Sequence, residues 1–391
     1  MSLKSNIWKV YLFEFFVSMH FISAVLIPFF TEWGNISFSK IMILQSWFML
    51  WIFIFEIPTG AIADFLGRKK SMIIGAGANV IAVLIYSITP NYFLFLIGEI
   101  FFALSVSLIS GSKEALIYDT LKKNNLTKDS KSVFGRSESF HLTGILVGAP
   151  IGSFIAFFLG VRYPMMLMSI PFMIAFVIGF TFKEPKIHLK QEKKNYFVIL
   201  KSGVKFFYKH KILKILALDM VVISSIAYLM IWLYQPLLMR SGCSMALFGF
   251  VHAAFVIGEI VVMNNYIFLE KLFGSKKRVI FLSSIITGLM FILAGLTTFL
   301  PLVLLAIIVS MSFGLTRRPL LISYMNKYIP SHNRATVLSA ISMLRRILII
   351  VFNPIIGFFV DKSLNYALII LGLIAITFAV FSKVEEEHLI D

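Results

Sequence analysis

The sequence predicts an all-α membrane protein whose twelve transmembrane helices form two related six-helix bundles. Three observations predict it. Apolar runs of membrane-spanning length recur along the whole chain, Lys and Arg gather on one side of those runs, and short motifs in the first half return in the second at an offset of about 200 residues.

Of the 391 residues, 59% are hydrophobic, 41 are Phe and only 14% are charged. A water-soluble chain of this composition would expose too much apolar surface. A helix needs roughly 20 apolar residues to cross about 30 Å of hydrocarbon. Runs of that kind fall near residues 8–30, 39–63, 71–89, 92–120, 133–159 and 162–183, then 210–239, 245–269, 276–298, 300–326, 333–360 and 364–382. The first is too long for a signal-peptide core and lacks a small-residue cleavage site, so it reads as a mature span.

The net charge of +17 is explained by topology rather than by nucleic acid. Most Lys and Arg fall in segments on the side of the N-terminus, whereas the opposite segments hold Lys40, Arg162, Arg240 and Lys362. This positive-inside bias predicts a multi-pass protein of the cell membrane with both termini cytosolic and its basic residues against anionic lipid headgroups. Cys243 is the single cysteine, so the chain has no internal disulfide and no cysteine-based metal cluster.

The least hydrophobic stretch, KEPKIHLKQEKKN and its flanks, divides the spans six and six. The expected organisation is an N-terminal bundle, residues 1–183, a cytosolic linker, 184–209, and a C-terminal bundle, 210–391. Comparing the halves, DFLGRKK is echoed by KLFGSKK, so that Gly67 answers to Gly274, and Lys69 and Lys70 to Lys276 and Lys277. Gly111 with Lys113 and Glu114 answers to Gly314 with Arg317 and Arg318, and Arg136 to Arg334. Such in-order matches are the mark of parallel-repeat transporters.

Between spans two and three, Gly60, Asp64, Gly67, Arg68 and Lys69 resemble the signature G-x-x-x-D-x-x-G-R-(R/K) of the major facilitator superfamily. The resemblance implies two six-helix bundles rocking about a central cavity that opens alternately to either side. It also implies a charge relay from Asp64 and Arg68 to an acid at the cytosolic end of span four, the depth of Asp119. Read physically, the glycines permit a tight turn, and Asp64 can pair with Arg68 or receive a helix N-terminus, which makes the turn a conformational latch. In span five, GILVGAPIGS, residues 144–153, resembles the antiporter signature of drug/proton exporters, with Ala149 inserted before Pro150 and Ser153 for the final Gly. Gly144, Gly148 and Gly152 at four-residue spacing would equally let helices approach closely. That subgroup carries an Arg in outer span four where this chain has Glu99, so proton coupling through that Arg is not carried over.

Ionisable residues inside spans cost roughly 2.5–3.5 kcal/mol each at a helix centre and persist when paired, hydrated or functional. The N-terminal half places acids there, Glu14, Glu56, Glu99, Glu114 and Glu138, and the C-terminal half places Arg317, Arg318, Arg345 and Arg346 with Asp219 and Glu259. A carboxyl held away from water is the group that a proton loads and leaves near neutrality, which nominates Glu14 and Glu259 first, then Glu114, Glu138 and Asp219. Arg346, Arg345, Arg318 and Arg317, with His252, Tyr228 and Asn353, are the candidates for binding cargo. The acids of spans one, four and five pairing with the arginines of span ten would form an inner gate, and pairing within each bundle is the alternative.

No nucleotide loop, metal-ligand histidine cluster or nucleophile signature is present, so no catalytic residue, metal or cofactor is expected. The expected function is proton-coupled export of a small molecule by a monomeric secondary transporter in the lipid bilayer. The alternatives are carriage of an organic anion, such as a polycarboxylate metabolite or carboxylate siderophore gripped by the arginines, or lipid flipping on the same fold.

Overall fold

In a computed structural model, residues 4–185, 205–330 and 334–390 are described, with the side chains at 57, 58, 60–65 and 335 outside that description. The Lys-rich run of the linker, the surroundings of Gly60 and the side chain of Asp64 therefore lie outside the described residues. Eleven described helices are long and apolar enough to cross a membrane, and a shorter apolar helix follows them.

In chain order the helices are α1 (Ser5–Val17), α2 (Phe38–Leu66), α3 (Arg68–Ile88), α4 (Tyr92–Lys123), α5 (Ser130–Leu159) and α6 (Arg162–Thr181). They continue with α7 (Lys211–Arg240), α8 (Phe248–Asn264), α9 (Lys276–Leu296), α10 (Leu300–Tyr328), α11 (Arg334–Lys362) and α12 (Leu364–Val380). The chain packs as two compact units: Met1–Glu192 with Met245–Ala253, and Lys193–Ser244 with Ala254–Asp391. The opening turns of α8 thus cluster with the first unit.

The repeat reappears in the packing. In the first unit α3 lies against α4 and α6, and in the second α9 lies against α10 and α12. Small residues set these distances, because lipid offers no hydrophobic drive between helices and close contact must do the work. A Cβ on Gly288 of α9 would sit 2.7 Å from the Gly372 carbonyl oxygen, and one on Gly372 of α12 would sit 2.5 Å from the Gly288 carbonyl oxygen.

The third helix of each unit is also closed at both ends by charge. Arg162 donates from Nε and Nη2 to the Ser87 carbonyl at 3.1 and 2.7 Å, in the last turn of α3. Arg240 donates from Nη2 to the Ala294 and Thr297 carbonyls at 2.7 and 2.8 Å, at the end of α9. A cation at a helix C-terminus satisfies orphan carbonyls and opposes the dipole.

Span one differs from the continuous helix that its apolar run predicts. Helix α1 stops at Val17, the backbone leaves helical geometry at His20 (φ −82°, ψ 86°), and a 3-10 turn, Phe21–Ala24, follows. The glycines of α5 occupy that break: a Cβ on Gly148 would lie 3.1 Å from the His20 amide nitrogen, and one on Gly152 would clash with the Phe21 carbonyl. Hydropathy registers apolarity and is blind to such a break.

Candidate functional site

The turn between α2 and α3 is built on Gly67, whose φ of +93° is costly for a side-chain-bearing residue. Arg68 opens α3 and its Nε stands 3.7 Å from Asp119 Oδ2 near the end of α4. Glu184, just beyond α6, accepts the first two free amides of α3, from Arg68 at 2.8 Å and Lys69 at 2.7 Å. The Lys69 ammonium donates to the Phe180 carbonyl at 2.7 Å. One carboxylate thus takes two orphan N–H groups at the positive end of a dipole and ties α3 to the end of α6.

The second unit holds a copy. Glu386, beyond α12, accepts the amides of Lys276 at 3.1 Å and Lys277 at 2.7 Å, the first two residues of α9. Neither Glu184 nor Glu386 is among the residues singled out in the sequence. The available signal is an acid following the sixth span of each half.

Within the first unit, Glu14 of α1 is 2% exposed. The Lys113 ammonium on α4 donates to its Oε2 at 3.0 Å. His141 on α5 brings Nδ1 within 3.8 Å of the same oxygen and within 2.6 Å of Ser18 Oγ. A buried carboxylate, an ammonium and a half-exposed imidazole in contact form a set through which a proton can be passed. Glu114 and Glu138 are exposed on their helices rather than buried with Glu14, since one residue along a helix turns the side chain by about 100°. His252 lies with this unit, in Coulombic range of His20, whereas Glu259 on the same helix belongs to the other unit. The imidazole of His141 is a part of the set that sequence reading missed, because a lone His in a polar stretch gives no periodic signal.

Within the second unit, Asp219 of α7 and Arg317 of α10 meet in the core, 1% and 2% exposed. Arg317 donates to Asp219 Oδ1 from both Nε, at 2.6 Å, and Nη2. Its Nη1 donates to the Ile280 carbonyl at 2.7 Å and to Ser283 Oγ at 2.9 Å. Ser382 Oγ donates to the second carboxylate oxygen at 2.8 Å, beside a cavity of about 30 Å³ that Lys277 also lines. A candidate proton carrier and a candidate cargo ligand are here partners in one bundle, so Arg317 finds its acid on α7 rather than on spans one, four or five.

The remaining arginines behave differently. The Arg345 guanidinium lies over the Tyr228 ring at 5.5 Å, and Tyr228 is 6.4 Å from Trp232 edge-on. Arg318 and Arg346 are within Coulombic range of Arg345 and of each other. The buried polar atoms without a hydrogen-bond partner include, on these helices, Arg345 Nε and both amide atoms of Asn353 on α11, and Trp232 Nε1 on α7. Like charges and unpartnered polar atoms are costly in a membrane protein's interior.

The description "Major Facilitator Superfamily" belongs to the family model that matches residues 8–353. The chain belongs to this superfamily. It is 24% identical over 293 residues to the uncharacterized MFS-type transporter YxaM of Bacillus subtilis (strain 168), covering 73% of this chain and 72% of that one. Its fold is similar to that of the nucleoside transporter NupG, with a TM-score of 0.79, 14% identity and coverage of 97% and 98% of the two chains. It is also similar to that of a D-xylose-proton symporter, with a TM-score of 0.72, 13% identity and coverage of 99% and 98%. The protein is therefore a membrane transporter of the major facilitator type.

In this superfamily member the span-five motif is a contact surface. A Cβ on Gly144 would strike the Phe15 carbonyl, and one on Gly249 of α8 would strike Ala149 and Pro150. Ser153 Oγ, 3.1 Å from the Ala246 carbonyl, adds a polar tie. The glycines of α5 thus seat the broken span one, while Ala149, Pro150 and Ser153 meet the start of α8.

Proposed function

We propose that this transporter is a proton-coupled secondary carrier whose cargo is a small organic anion held by Arg345 with Arg318 and Arg346. The observation that carries the cargo class is Arg345: a guanidinium over the Tyr228 ring, with an unused Nε and two further arginines nearby. Guanidinium forks match carboxylates bidentately, and desolvation strengthens the grip. Polycarboxylates suit three such groups best.

Proton exchange is assigned to Glu14 with Lys113 and His141. Loading Glu14 breaks its pair with Lys113, and unloading restores it, so the charge of the first unit changes by one while the arginines of the second keep theirs. Export is the favoured direction, on the likeness of the span-five segment to exporter signatures. The turn at Gly67 and Arg68, with Asp119 and Glu184, serves as the latch between conformations.

Thermal stabilisation of the purified protein by citrate, inorganic phosphate and a lipophilic cation tests the cargo class. Citrate should raise the melting temperature of the wild type and not of Arg345→Gln. Stabilisation by the cation alone would instead place the protein among drug carriers, and a response confined to lipid would favour a flippase. Proteoliposomes with an imposed pH gradient then test coupling: uphill citrate movement is expected in the wild type, and only downhill exchange in Glu14→Gln.

A further inference from the structure

A second buried acid of the first unit lies far from the cluster at Glu14. Glu99 is seven residues into α4 from its start at Tyr92, about 10 Å along the helix, at the end opposite to Asp119. It is 6% exposed. Tyr86 Oη of α3 donates to its Oε1 at 2.6 Å, and Gln45 Nε2 of α2 donates to the same oxygen at 3.2 Å. Three helices thus converge on one carboxyl.

Local sequence arranges this. Gly98 has no side chain, so the Tyr86 ring lies against the α4 backbone; a Cβ there would be 2.5 Å from the ring. Tyr86 is stacked on Phe95 at 5.1 Å, and Phe29 and Phe30 close the box at 6.0 and 5.5 Å from Phe95. The donors are neutral, and the wall is aromatic.

Among the described residues no cation is paired with the carboxyl. Lys40 on α2 lies over the Tyr92 ring at 5.8 Å. Arg162 donates to the Ser87 carbonyl and lies over Trp33 at 5.6 Å. Glu32, in the segment between α1 and α2, is exposed, and Tyr86 on α3 and Tyr92 on α4 are titratable neighbours within Coulombic range of each other. Among the described residues Glu99 makes no ion pair, and both of its hydrogen bonds fall on Oε1, which leaves Oε2 to carry a proton. An ionised carboxylate without a counter-charge is expensive in such a place, and two neutral donors offset only part of that cost.

We infer that Glu99 is a second proton-binding site, neutral when α2, α3 and α4 are packed around it, and that its ionisation loosens their packing. One proton moves between Oε2 and water, and nothing else is exchanged. Charging Oε1 and Oε2 inside the aromatic box favours arrangements in which water reaches the carboxylate, so the proton and the interhelix packing are linked.

The test uses the purified full chain without cargo, so its outcome is separate from that of the carrier reading. Infrared difference spectra across a pH titration should show a protonated-carboxyl band at neutral pH that disappears as pH rises and that Glu99→Gln removes. Trp33, packed on Phe95 at 6.0 Å, and Trp47, which donates to the Leu96 carbonyl at 3.0 Å, report on the same helices. Their pH-dependent fluorescence change should be lost in E99Q, whose neutral amide keeps the packed state, and retained in Glu99→Asp. A carboxyl already ionised at neutral pH overturns the inference, as does one that never titrates below the unfolding pH. So does E99Q protein that keeps the wild-type fluorescence change.

Discussion

At the residue scale the outcome turns on partners. Asp219 and Arg317 were each visible as costly ionisable residues within spans, but their meeting was not, since 98 residues separate them and no local periodicity links α7 to α10. Burial makes the pair asymmetric in its consequences: removing one member strands a charge, at about 3–5 kcal/mol, whereas replacing both with apolar residues of similar size is often neutral. Asp219→Ala should therefore lower the melting temperature strongly, and Asp219→Leu with Arg317→Met should recover most of the loss. A double variant no more stable than the single would show that the pair contributes more than mutual neutralisation. Glu14 was legible in the same way, and Lys113 was visible as part of the repeat. His141 was not, because its role comes from the proximity of α1, α4 and α5 rather than from any spacing in the chain.

At the element scale the two halves use one device twice. An acid after the sixth helix of each unit, Glu184 or Glu386, caps the third helix, and an arginine, Arg162 or Arg240, closes its other end. Each lost cap should cost about 0.5–2 kcal/mol. Hydrogen exchange in Glu184→Ala should speed up in the first turn of α3 and leave α9 unchanged, with the converse in Glu386→Ala; acceleration of both helices in either variant would contradict independent caps. Beside the second cap, the Lys277 ammonium bonded to Glu385 holds that carboxyl below its ordinary range. A depressed acid stabilises the fold fully above the unfolded carboxylate pKa and loses that contribution as pH falls through the lower folded value. Fraying of residues 385–389 is thus expected under acid conditions only, and should begin at higher pH in Lys277→Gln.

At the scale of the whole molecule, Cys243 is a native reporter of topology. It follows α7 on the side that the charge bias assigns to the exterior, and burial pushes its thiol up. An impermeant maleimide should label intact cells and not inverted vesicles, slowly at neutral pH and faster as pH rises; the reverse sidedness would overturn the orientation. The sequence by itself determined the membrane class, the transporter family, the approximate spans, the repeat and the ionisable residues inside the bilayer. Those properties are linear: hydropathy is a running average, charge bias is a tally by segment, and the Gly67 signature is a run of neighbours. Only tertiary structure decided that span one breaks at His20, that Arg317 is joined to Asp219, that Arg345 stacks on Tyr228, and that Glu99 is met by donors from two other helices. Each depends on which helices touch and at what height. Helix contact in lipid rests on small-residue packing and partner geometry, which a list of apolar runs does not encode.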